Sequence, residues 1–187
     1  MQTQRSPTVG NRVLRPVIIS ESKGDYLKDQ VLHPEERQIV WWNKRGTDIK
    51  NFLHWLEKNI KSKINELGNI HLCIWLRTCD LTTKNKDGTL SLVTQHSETS
   101  KNVFEELKKF KLLLQPYPNS GITFIEIPHY SFTKWNIHAK KSPTEDRINQ
   151  DQELHQQILN SNTQIQDLGS SLNVRSPLLK LHLKTSK

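Results

Sequence analysis

Val17-Ile18-Ile19-Ser20-Glu21-Ser22-Lys23-Gly24-Asp25-Tyr26-Leu27 runs three β-branched apolar residues straight into an acid, two serines and a glycine. A run that short, rich in β-branching and closed by small polar residues, reads as a buried strand. The chain beyond it is either a corner that displays a reactive Ser22 or a plain turn. Gly24 can relieve such a corner, and Leu27 is expected to pack the next segment back on the sheet.

The elements downstream decide what the corner belongs to. Residues 38–42 form a second apolar run, closed by Asn43-Lys44-Arg45-Gly46. From Thr47 the period changes: Ile49, Phe52, Leu53, Leu56, Ile60, Ile64 and Leu67 recur at three- and four-residue steps until Gly68, which predicts a helix of about five turns. A strand is expected over 70–76, then a polar loop whose Asp87-Gly88 favours a turn. A second helix is predicted over 97–114 and a strand over 122–127, stopped by Pro128. A third helix over 146–168 and a last strand over 177–183 complete the pattern. No internal repeat occurs.

Alternating strands and helices imply parallel strands joined by right-handed helical crossovers. The expected fold is a three-layer α/β/α sandwich, flavodoxin-like, with a mainly parallel sheet of about five strands. Its functional site should lie at the carboxyl ends of the strands, where the loops starting at Ser20, Asn43, Arg77 and Pro128 gather.

The chain of 187 residues suits one domain, expected over 16–187 after a loose leader at 1–15. Its formal charge of +8 favours phosphates or acidic surfaces, so nucleic acid is a candidate partner. The lysines nevertheless sit mostly in amphipathic stretches such as 101–111, the pattern of a solvated helix face. Two cysteines, Cys73 and Cys79, give no disulfide framework and fit a reducing compartment. With no signal-peptide core and no apolar run near the length of about 18 residues that spans a bilayer, the chain is expected to be intracellular, cytoplasmic and away from membranes. The seven glycines match no phosphate-loop or dinucleotide spacing, so no cofactor is expected. His71, Cys73 and Cys79 fall short of a four-ligand zinc set, so no metal is expected either. Of the five tryptophans, Trp135 lies in a loop after Ile127 and is the best placed to touch a ligand.

Ser20-Glu21-Ser22 with Leu27 five residues on resembles the first block of the SGNH or GDSL hydrolases, Gly-Asp-Ser followed by leucine. The resemblance implies an α/β fold and a serine ester hydrolase with Ser22 as nucleophile. Glu21 keeps the acid, whereas Ser20 replaces the leading glycine. The family's second block, a glycine after the second strand, corresponds to Gly46, whose amide would serve the oxyanion. Its third block, Gly-x-Asn-Asp, corresponds to Arg77-Thr78-Cys79-Asp80. Asp80 is kept, but Cys79 offers only a weak S–H donor where the family's asparagine donates. Losing one such donor puts about 2.7–4 kcal/mol of transition-state stabilisation at risk.

The fourth block, Asp-x-x-His after the last strand, supplies the base and is not found. Asp151 and His155 are one residue too far apart and lie in the third predicted helix, and 29–34 comes directly after the nucleophile loop. The resemblance therefore implies a degenerate or truncated esterase, with His129, His138 and His155 as candidates for an unrecognised base. Ser22-Lys23-Gly24, Thr78-Cys79-Asp80-Leu81-Thr82 and Ile127-Pro128-His129-Tyr130-Ser131-Phe132 resemble more closely the SGNH-like domains in animal transposable-element reading frames. That likeness implies, as the alternative, a non-catalytic module contacting nucleic acid or protein.

Overall fold

The computed structural model describes residues 14–30, 33–93, 98–142, 145–174 and 176–177. Four strands, β1 (Arg15–Ser20), β2 (Val40–Asn43), β3 (Ile70–Trp75) and, later in the chain, β6 (Gly121–Phe124), form a sheet in the order β2-β1-β3-β6. All three pairings are parallel, with Ile18 beside both Trp41 and Cys73, and Leu72 beside Ile122. The helices α2 (Ile49–Leu67) and α4 (Glu98–Leu114) occupy the crossover positions that sequence periodicity predicts, and α6 (Glu145–Ser171) follows β6 where the third helix is expected. Between β3 and α4 lie α3 (Thr78–Leu81) and a small antiparallel hairpin of β4 (Thr82–Lys84) and β5 (Leu90–Leu92). Its turn places Gly88 at φ 82°, which explains the glycine after Asp87.

Side chains alternate across a strand, so the sheet has two distinct faces. Val17, Ile19, Leu72, Ile74, Ile122 and Phe124 are buried on the face covered by the row α2, α4, α6. Trp42 points the same way and meets Trp55 of α2 edge-on at 5.9 Å. The other face carries Ser20 and Asn43, and there the chain forms α1 (Ser22–Lys28), a two-turn helix where a turn was expected. The sheet thus has helices on both sides.

Gly24 makes that contact. A Cβ at Gly24 would collide with Asn43 Oδ1 and stand 2.7 Å from Ser20 Cβ. Asp25 fastens the same helix by accepting from Asn43 Nδ2 at 3.2 Å and Arg45 Nε at 2.6 Å. Leu27, by contrast, is 46% exposed and packs nothing on the sheet, a correction to its expected role. Gly24→Ala should therefore lower stability by about 1–3 kcal/mol through overpacking, although alanine is the better helix former. Urea midpoints decide it, and a variant as stable as wild type would show that α1 shifts freely.

Three boundaries differ from expectation, each for a local reason. Gln38 belongs to a 3-10 turn, Pro34–Gln38, whose first turn is closed by His33 and Glu36, so β2 starts only at Val40. The fourth sheet strand ends at Phe124 because Ile127 has its N–H and C=O taken by Asn162 of α6, at 2.8 and 2.9 Å. The segment carrying Trp135 is helical, α5 (Phe132–His138), started by Ser131. All but the first residue of the last expected strand, 177–183, and residues 1–13 of the expected leader lie outside the described residues. No described helix is long and apolar enough to cross a membrane.

Candidate active site

Leaving β1 the chain moves to β2, and leaving β3 it moves the other way to β6, so the carboxyl ends of β1 and β3 flank the switch point of the sheet. Ligand crevices in open parallel sheets form at such points because the two loops diverge there. Here a carboxylate ties the loops together. Glu21, 1% exposed, accepts from the backbone N–H of Arg77 at 2.6 Å and of Cys79 at 3.2 Å. Its other oxygen lies 3.5 Å from Lys23 Nζ, which donates to Thr78 Oγ1 at 2.8 Å and rests 4.9 Å from the Trp75 ring centre. Burial lowers the Lys23 ammonium below the usual lysine range, against the pull of Glu21. The acid beside Ser22 thus serves as a structural clamp.

Ser22 is the first residue of α1, with Glu21 as its N-cap. It is half-buried, and its hydroxyl has no hydrogen bond to a described residue. Gly46 sits in the exposed turn after β2 at φ 64°, a conformation that favours glycine, with open space where a side chain would begin. No described contact joins its amide to the Ser22 loop. Cys79 lies at the clamp, and burial, with Glu21 and Asp80 nearby, pushes its thiol up to about 12. It stays an S–H at neutral pH. Asp80 is pushed up to about 6, mainly by burial, while its carboxylate accepts from Ile49 N–H at the start of α2 at 3.2 Å.

None of the three candidate bases is hydrogen-bonded to Ser22. His129 and His155 stack on each other at 4.6 Å, both exposed, and burial together with the neighbouring imidazole lowers the His129 pKa. Asp151 is not oriented on His155: it accepts from Ser131 Oγ at 2.6 Å, Phe132 N at 3.0 Å and Thr133 N at 3.2 Å. His138 closes α5 and is exposed. Among the described residues no group of three or more His, Cys, Asp or Glu could hold a metal ion.

No family model and no curated protein matches the sequence. Solved structures do match. The lipase/acylhydrolase from Enterococcus faecalis superposes with a TM-score of 0.53 at 11% identity, over 90% of this chain and 78% of that one. A protein assigned as a GDSL-like lipase from Parabacteroides merdae gives 0.52 at 13% identity, over 87% and 77%. An acetyl xylan esterase gives 0.50 at 13% identity, over 86% and 75%. The fold is that of the SGNH/GDSL hydrolases.

Within the SGNH fold three residues near the clamp escape a motif reading. Lys23 comes directly after Ser22, and its link to Thr78 is visible only once the two loops are joined. Tyr130 arrives on the loop after β6 with its hydroxyl buried, facing Thr82 without closing an ordinary hydrogen bond. Burial raises its phenol above the usual tyrosine range, in the field of Glu21 and Cys79. Arg77, which the sequence resemblance sets against the third block's glycine, has a left-handed backbone at φ 107°, a conformation that favours glycine. Its signal in the sequence was that departure itself: a bulky residue where the SGNH pattern has none.

Proposed function

We propose that this domain is a degenerate serine ester hydrolase. Ser22 takes the nucleophile's place, the backbone N–H groups of Ser22 and Lys23 would serve the oxyanion, and among the described residues no imidazole is hydrogen-bonded to the serine. What carries the reading is the Glu21 clamp, which fixes Ser22 at the head of a helix beside the switch point of the sheet. A helix N-terminus offers unpaired N–H donors and a positive dipole end to a developing negative charge. Cys79 adds at most a weak S–H donor. Without a positioned base a serine hydroxyl is a poor nucleophile, and general-base assistance is worth about 10²–10⁴-fold.

Hydrolysis of p-nitrophenyl acetate tests this. The expected result is slow release that Ser22→Ala abolishes and that His129→Ala, His138→Ala and His155→Ala leave unchanged. Loss in one histidine variant would identify a base and make the enzyme intact rather than degenerate. Release that survives Ser22→Ala would remove the ester-hydrolase reading altogether.

A further inference from the structure

Among the described residues Arg77 is the largest fully buried side chain, 2% exposed, and its guanidinium has no partner on Nε or Nη2. Those two nitrogens form one edge of the guanidinium plane. Their N–H bonds run nearly parallel, the fork that matches two oxygens of a carboxylate or phosphate. No acidic group among the described residues fills it. Glu21 is engaged by the Arg77 and Cys79 amides and Asp80 by the Ile49 amide, and neither makes an ion pair with Arg77. A charge buried without a partner is among the costliest arrangements in a fold. Arg77 also holds a left-handed backbone at φ 107°, ψ −11°, which a side chain of this size adopts only against strain.

Strain and an unpaired charge on one residue, at the carboxyl end of β3 beside the switch point, are the marks of a site rather than of a core. We infer that Arg77 is an oxyanion-binding subsite at the switch point, taking a carboxylate or phosphate group of the ligand in a two-point contact through Nε and Nη2. The subsite stands apart from the proposed ester chemistry: it needs neither Ser22 nor a base. If both hold, the ester processed at Ser22 carries an acidic group.

The full chain is titrated with inorganic phosphate and, separately, with succinate, against chloride at matched ionic strength. The Arg77 Nε–H resonance and the melting temperature are followed. Saturable shifts of that resonance and a rise in melting temperature are expected with at least one of the two anions; which one saturates first tells phosphate from carboxylate. Arg77→Lys keeps the charge but loses the fork and should weaken binding at least about tenfold. Arg77→Met should abolish binding yet melt higher than wild type without anion. Ser22→Ala should bind as wild type does. An Arg77 resonance that responds to neither anion beyond chloride overturns the inference, as does Arg77→Lys binding as tightly as wild type. Because the resonance is read in the wild-type protein, the test survives a variant that fails to fold.

Discussion

Glu21→Ala should lower the stability of the domain by about 3–5 kcal/mol, a large share of the 5–15 kcal/mol typical of a folded domain. The carboxylate is 1% exposed and accepts two backbone N–H bonds across the gap between the β1 and β3 loops. Hydrogen bonds to a charged acceptor contribute about 1.5–3 kcal/mol each, and truncation leaves both donors without a partner. Lys23 loses its counter-charge as well, and burial already disfavours its ammonium. Glu21→Gln keeps one oxygen to accept one amide, so it should lose roughly half as much. Urea denaturation near neutral pH measures both. A Glu21→Ala variant within about 1 kcal/mol of wild type would mean that water replaces the carboxylate and that the loops need no clamp.

The clamp also shows why the fold was more legible than the site. Helices α2 and α4 and strands β1 and β3 announce themselves through local spacing of apolar residues, and the structure places them within a residue or two of expectation. Their burial depends on neighbours a few positions away in the chain. Glu21 reaches across 56 residues to Arg77, and no periodicity records such a contact. Asp151 shows the same limit from the other side. Four residues before His155 it has the look of a surface pair, yet its carboxylate is claimed by the start of α5, a helix whose seven residues are too few for a periodic signal. Gly24 and Leu27 exchanged roles for a related reason. Apolarity suggested that the leucine would pack, but the close approach of α1 to Asn43 leaves room only for a glycine. Ser22 at the corner was readable because its determinants are adjacent in sequence.

Asp80→Asn should raise stability at neutral pH, the opposite of what removing a buried charged acceptor usually does. Burial pushes the Asp80 carboxyl from 3.8 up to about 6, outweighing the Ile49 N–H and the Arg77 charge that pull it down. Its folded pKa therefore lies above its unfolded one. The folded state binds the extra proton, so this group favours folding fully below the unfolded pKa and ceases to do so as pH rises through about 6. The full swing is about 3 kcal/mol across the window from roughly pH 4 to 6.5. An asparagine cannot ionise, yet its amide oxygen can still accept from Ile49 N–H at the head of α2. The variant and wild type should be nearly equal near pH 4 and diverge as pH rises, with the variant about 1–3 kcal/mol more stable by pH 7. Parallel stability profiles over that window, or a variant less stable at pH 7, would show that Arg77 and the α2 N-terminus hold Asp80 ionised. The sign also bears on the crevice. Asp80 is the carboxylate whose charge Arg77 feels most, so neutralising it leaves the guanidinium more strongly positive toward an incoming oxyanion.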